Sequence, residues 1–324
     1  MLNIIRRKLD FWVFVLLIFL SLIFVFIPSL SDSVIDGAKL FFACVLPSLF
    51  PYFFITAILT ELKTTSKISS VLSKPMNKLF RVNGASGYAF FMSVIAGFPM
   101  GAKLVSDLRT KGVLTQTESI RASAFCSTSS PVFLIVSVGA TMFRNTIFGV
   151  LLFLTNILSA ILVGFIFSFY KRKQPPSNKT NNFLNVDFVF SDCVYSAVNS
   201  SLFVCGVIML FYTLTEVLIT LKILSPISYL FNTLLGDLNL SNGLCLGLFE
   251  ITKGLKSISK SGISFLTLPI SAFVCGFGGV SVIVQSVAFL KVAKIKTAPF
   301  VLAKTLSAVL SFFIGLIFSF VFFY

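Results

Sequence analysis

Long apolar runs separated by short polar stretches set the layout of the chain. Phe11 to Ile27, Val34 to Leu62, Thr146 to Tyr170, Val194 to Leu221 and Pro299 to Tyr324 are each long enough to cross a bilayer as a helix. Pro47 and Pro51 predict a bend in the second of these. Other apolar runs are interrupted. Tyr88 to Ala96 ends in Gly97-Phe98-Pro99-Met100-Gly101-Ala102-Lys103, where two glycines and a proline should stop a helix. Backbone freed in this way is tolerated at membrane depth only when packed in protein or lining a wet cavity. The pattern predicts that 85–104 enters the membrane, breaks and returns as a re-entrant hairpin. Cys126-Ser127-Thr128-Ser129-Ser130-Pro131 breaks the run 122–143, and Cys275-Gly276-Phe277-Gly278-Gly279 breaks 262–285. Between them, Gly247-Leu248-Phe249-Glu250-Ile251-Thr252-Lys253-Gly254 is a short apolar piece with charges inside it.

The halves repeat. Ser123-Ala124-Phe125 matches Ser271-Ala272-Phe273, and Leu158-Ser159-Ala160 matches Leu306-Ser307-Ala308, both at an offset of 148. The division is an N-terminal helix in 1–33, repeat one in 34–173, a polar cytosolic linker in 174–190 and repeat two in 191–324. Loop charge orients the copies. The stretch 63–83 carries Lys63, Lys67, Lys74, Lys78 and Arg81 and no acid, whereas 223–240 carries no lysine or arginine and one acid, Asp237. Basic loops stay in the cytosol. One stretch is therefore inside and the other outside, and the repeats are inverted. Arg6, Arg7 and Lys8 place the N-terminus in the cytosol. The apolar run after them is too long for a signal peptide and no A-x-A site follows, so it reads as a retained helix. Lys253, Lys256 and Lys260 fall on the outer side in this arrangement, as surface residues or as cations drawn into a site.

Composition agrees. Hydrophobic residues make up 56% and charged residues 11% of 324, against about 25% charged in a soluble domain. The net charge of +15 sits in short loops beside apolar runs, which assigns it to membrane topology rather than to nucleic acid. There is no histidine, and the six cysteines form no CxxC pair, which argues against a zinc site or a disulfide framework. Gly97 to Lys103 spaces its glycines unlike a phosphate-binding loop, so ATP hydrolysis is not expected. No cofactor or metal is expected, and without a histidine or paired carboxylates the chain does not read as an enzyme. Inverted repeats with paired broken helices point to a secondary transporter with its substrate near the bilayer midplane.

Four motifs in order carry a family likeness: GFPMGAK, Ser-Ala-Phe-Cys-Ser-Thr-Ser-Ser-Pro, GLFEITKG and CGFGG. They resemble the gate-domain, or nucleoside-recognition, membrane proteins, and among these the sporulation integral membrane proteins, over about 10–324. The resemblance implies expression in the mother cell of a spore former and a place in the outer forespore membrane. It also implies movement of dipicolinic acid toward the spore. Nucleoside transport stays open as an alternative, and so does a non-transporting scaffold that assembles with other sporulation membrane proteins or with itself.

The expected fold is thus an all-α polytopic membrane protein, an N-terminal helix plus two inverted repeats, each with a re-entrant hairpin and a broken helix. Its partners are the lipid bilayer and a small anionic solute. The candidate binding residues are Gly97, Phe98, Pro99, Gly101 and Lys103 at the first break, then Ser127, Thr128, Ser129 and Ser130. Glu250 and Lys253 follow, and Gly276, Phe277, Gly278 and Gly279 complete the set. A flat dianion needs cations, backbone donors at helix starts and an aromatic wall. Lys103 is either that cation or an interfacial lysine reaching the headgroups. Glu250, costly inside an apolar stretch, is expected to bind a cation, carry a proton, or pair with Lys253 or Lys103. The hydroxyls and glycines of the two breaks read as a solute path or as close helix packing. Phe98 and Phe277 are placed to stack on a ring. Asn156 and Gln285, polar within apolar runs, serve equally as packing or as contacts.

Overall fold

The computed structural model describes residues 29–61, 64–174 and 189–323, and every element in them is helical. Residues 1–28 of the expected N-terminal helix segment (1–33) and most of the polar linker lie outside the described residues. The first described helix, α1 (Ser29–Leu40), straddles the expected boundary at 33/34 and continues through a π turn, Phe41–Val45, into α2 (Leu46–Glu61). The expected bend is thus a widened turn just ahead of Pro47, whose ring cannot donate into a regular α ladder. Next come α3 (Thr64–Pro75), α4 (Ala85–Ala96), α5 (Met100–Thr110), α6 (Gln116–Phe125), the π-type helix α7 (Val132–Met142) and α8 (Thr146–Phe167). Repeat two follows the same order. It consists of α9 (Phe190–Thr220), α10 (Ser225–Leu235), α11 (Leu238–Phe249), α12 (Ile251–Ile258), α13 (Thr267–Phe277), α14 (Gly279–Val292) and α15 (Ala298–Phe323).

Among the described residues, Thr146–Phe167, Phe190–Thr220, Thr267–Val292 and Ala298–Phe323 are long and apolar enough to cross a membrane. At 1.5 Å per residue α8 is about 33 Å long, just more than the ~30 Å hydrocarbon core. The lysine-rich stretch 63–83 and the stretch 223–240, both read as loops, each contain a helix, α3 and α10. In α3 the two lysines, Lys67 and Lys74, hide an apolar face: Leu72, with Met76 just past the end of the helix, presses on Gly87 of α4.

Both interrupted segments fold back on themselves. A methyl on Gly101 would lie 2.9 Å from Ser93 Cβ, whereas eight residues along a straight helix span about 12 Å. On Gly254 it would lie 2.3 Å from Gly247 Cα. The pairs α4–α5 and α11–α12 are therefore helical hairpins, with tips at 97–99 and at Glu250. Each tip rests on the broken helix of its own repeat. A Cβ on Gly97, where φ is +81°, would fall 2.7 Å from Ser130 N. One on Gly279 would lie 3.0 Å from Phe249 O.

Local chemistry fixes the ends. Thr115 and Glu118 form a capping box on α6, with Thr115 N donating to Glu118 Oε2 at 2.9 Å. Asn145 Oδ1 accepts from Phe148 N at 2.9 Å to start α8. The buried Arg121 guanidinium closes the far end of α8. It donates to the carbonyls of Tyr170 at 2.8 Å, Lys171 at 3.1 Å and Gln174 at 3.2 Å, and to Arg81 O at 2.6 Å.

The repeats pack through equivalent parts. α1 lies on α9, where Gly37 leaves room for Tyr212, with an added Cβ 3.1 Å from that ring's Cβ. Across the middle, Asn156 Nδ2 donates to Cys275 O at 3.5 Å and Lys304 Nζ to Ser127 O at 3.4 Å. Asn156 corresponds to Lys304, and Ser127 to Cys275, at the offset of 148 read from the sequence. Each repeat thus reaches for the same carbonyl of the other, the reciprocal contact that a two-fold relation produces.

Candidate functional site

A cavity of about 270 Å³ lies where the hairpin tips meet the broken helices. Ligand pockets commonly measure roughly 300–1,000 Å³, so this one suits a solute the size of one or two rings. Gly97 and Phe98 come from the first tip, Glu250 and Thr252 from the second, Ser129 and Ser130 from the first break, and Ser281 and Gln285 from α14. Leu40, Leu49, Val204 and Ile208 supply an apolar wall from α1, α2 and α9.

The first break is held open by side chains rather than by helical hydrogen bonds. Asn156 Oδ1 accepts from Ser129 N at 2.9 Å, and Ser93 Oγ accepts from Thr128 N at 3.2 Å. Close approach does the rest: a Cβ on Gly101 would fall 1.9 Å from Cys126 O. The hydroxyls of Ser127 and Ser129 are buried and have no hydrogen-bond partner among the described residues. Leaving a buried polar group unpaired costs about 1–3 kcal/mol. Two such groups at a break beside a cavity are what a solute-binding surface would contain.

Glu250 is 3% exposed and stands between α11 and α12 in extended conformation. Its Oε2 accepts from Lys253 N at 2.7 Å. The carboxylate therefore caps α12, where the helix dipole favours negative charge. Neither expected ion pair forms. Lys253 Nζ turns to Tyr212 O at 2.9 Å and Glu216 Oε2 at 3.4 Å, with its charge 4.6 Å from the Tyr212 ring centroid. Lys103 Nζ pairs with Asp107 at 2.9 Å on its own helix. Lys256 and Lys260 are exposed.

The expected residues thus divide. Gly97, Phe98, Ser129, Ser130 and Glu250 line one cavity. Ser127, Thr128, Gly278 and Gly279 belong to the two breaks but not to the lining. Pro99 and Gly101 begin α5, and Gly276 packs on α15, where a Cβ would sit 2.6 Å from Ser311 Oγ. Phe277 is half-buried in the core, and Lys103 and Lys253 face away from the lining.

Sequence reading passed over Lys304. It is 1% exposed on α15, with Nζ 4.3 Å from the Phe98 ring centroid. Among the described residues no carboxylate pairs with it. A desolvated cation–π contact contributes about 2 kcal/mol, whereas burying one ion costs several kcal/mol. The ring and one 3.4 Å carbonyl contact leave this charge undercompensated. An ionisable residue inside an apolar run was the signal available in the sequence.

The chain is similar to the sporulation integral membrane protein YlbJ of Bacillus subtilis (strain 168), with 29% identity over 299 residues, 84% of this chain and 73% of that protein. No family model matches the chain. No solved structure matches it.

Proposed function

We propose that the protein is a multi-pass membrane transporter of sporulation that moves a small aromatic anion, dipicolinate first, from the mother cell toward the forespore. Its place would be the outer forespore membrane, with the N-terminus in the mother-cell cytosol. The observation that carries this reading is the cavity itself. Two hairpin tips and two broken helices, one of each from each half of the chain, converge there on aromatic, hydroxyl and amide groups. Broken helices supply main-chain donors at membrane depth, and related halves supply two equivalent arrangements between which a site can open to either side. The similarity to a sporulation membrane protein supports the setting.

A neutral ring solute such as a nucleoside is the second reading, favoured by one observation: the ionisable group on the cavity wall is an acid, Glu250. Uptake of labelled dipicolinate into proteoliposomes, with nucleosides as competitors, decides between them. Saturable uptake that nucleosides leave unchanged supports the first reading. Uptake of nucleosides in its place supports the second. Uptake of neither leaves the scaffold.

A further inference from the structure

Among the described residues, Lys304 is the strongest unmet demand. Its ammonium is fully buried, has no carboxylate partner among the described residues, and lies against the face of Phe98, whose ring lines the cavity. One ring therefore separates a buried cation from the solute space. The groups beside it are also unsatisfied. Lys304 Nζ touches Ser127 O at 3.4 Å, and the hydroxyls of Ser127 and Ser129 have no partner among the described residues.

The two-fold relation sharpens the contrast. Asn156, the counterpart of Lys304, accepts from Ser129 N at 2.9 Å and donates to Cys275 O at 3.5 Å. The packing role at this position is thus filled by a neutral amide. A charge at the other copy is not needed to hold the helices together.

Building on the transporter reading, we infer that Lys304 is the anion subsite, which receives a carboxylate of an aromatic solute once the Phe98 ring swings aside. The hydroxyl of Ser129, a residue of the cavity lining whose Oγ is buried and unpartnered among the described residues, donates to the same carboxylate. The ring tip faces Gly278, which carries no side chain; a Cβ built there would touch Phe98 Cζ at 3.5 Å, so the glycine leaves one methyl's worth of space beside the ring into which it can begin to turn. The displaced ring can then stack on the solute, so cation and aromatic wall act on one molecule. Specificity follows from charge: the site favours aromatic carboxylates over their amides.

The test is ligand binding to the purified full chain with dipicolinate, benzoate and the neutral diamide of dipicolinate as probes. K304Q is expected to weaken both carboxylates at least tenfold and to leave the diamide unchanged. F98A, which uncovers the ammonium, is expected to strengthen the carboxylates relative to the diamide, and it keeps the test open if K304Q fails to fold. Dipicolinate binding that is unchanged in K304Q overturns the subsite and leaves the transporter reading standing. Benzoate binding that depends on Lys304, with no dipicolinate binding, sustains the subsite and overturns dipicolinate as the solute. A wild-type chain that binds no carboxylate overturns both. Equal changes for carboxylates and diamide in both variants assign Lys304 to structure alone and overturn the inference.

Discussion

Ser159 and Ser307, 148 positions apart in the chain, meet hydroxyl to hydroxyl at 3.2 Å. Ser311 joins them, donating to Ser159 Oγ at 2.8 Å. Two residues at equivalent places in two repeats can touch each other only near a two-fold axis, as in an isologous interface. Asn156 and Lys304 lie on the same two helices, and their crossed contacts with Cys275 of α13 and with Ser127 of the first break obey the same relation. Small hydroxyl residues suit this crossing of α8 and α15. In lipid, helices associate by close packing and interhelical hydrogen bonds rather than by burying apolar surface.

This contact makes the first prediction. Cysteines placed together at Ser159 and Ser307, in a chain lacking its native cysteines, are expected to cross-link under mild oxidation. With a protease site inserted in 175–188, the two halves then run as one band on a non-reducing gel after cleavage. Cysteine at 307 paired instead with the exposed position 162 should give separate halves. Efficient cross-linking of that second pair, and none of the first, would refute the crossing at Ser159.

The hairpin tip makes the second. Gly97 combines a φ of +81° with Ser130 N only 2.7 Å from where a Cβ would stand, and Gly101 faces Cys126 O at 1.9 Å. Gly112 has φ of +72° but open space around it. Alanine at Gly112 meets only the left-handed backbone penalty, about 1–2 kcal/mol. Alanine at Gly97 adds overpacking on top, typically about 1–3 kcal/mol. Thermal midpoints in detergent should fall in the order G97A and G101A well below G112A. A G97A midpoint equal to that of G112A would mean the tip yields easily to the added methyl.

Much of this was readable beforehand because helix interruption in an apolar run has few causes. Gly97, Pro99 and Gly101 announce the first tip, Gly278 and Gly279 the second break, and the shared offset places them in related copies. What escaped was atomic. Spacing puts Glu250 three residues before Lys253 and invites an ion pair, but the structure uses the backbone N–H of Lys253 and sends its ammonium to Glu216. A cap and a salt bridge share one sequence signature there. The helices α3 and α10 were hidden for a different reason: charge in one and turn-like residues in the other masked short amphipathic patterns. Lys304 is a single charge in the bulk of a 26-residue apolar helix, whereas its counterpart Asn156 stands out more plainly as a polar residue.

Asn156 makes the third prediction. Its Oδ1 is the acceptor for Ser129 N inside the first break. Asn156→Leu keeps the branched four-atom shape with somewhat more bulk and removes the acceptor, leaving a buried N–H unpaired at about 1–3 kcal/mol. The thermal midpoint is expected to fall accordingly, and solute binding to weaken with it because Ser129 lines the cavity. Unchanged stability in Asn156→Leu would show that Ser129 N finds another partner and that the break does not depend on this side chain.

Glu250 makes the last, because one carboxylate serves both the fold and the cavity. As the cap of α12 it accepts from Lys253 N at 2.7 Å, and removing a cap costs about 0.5–2 kcal/mol. As part of the lining it presents negative charge to any solute. Two substitutions separate these roles. Glu250→Ala removes acceptor and charge together, so it should lower the thermal midpoint. Glu250→Gln keeps an amide oxygen to accept from Lys253 N and removes only the charge, so its midpoint should stay near that of the parent chain. For a solute that carries carboxylates, loss of the wall's negative charge removes a repulsion that water screens poorly inside protein. Dipicolinate uptake at low substrate concentration should therefore rise severalfold in Glu250→Gln. A neutral ring that hydrogen-bonds to the carboxylate should instead lose uptake. If Glu250→Gln abolishes dipicolinate uptake while folding normally, the carboxylate itself takes part in the transport cycle, as a cation or proton carrier, and its role as a mere cap on the cavity wall is refuted.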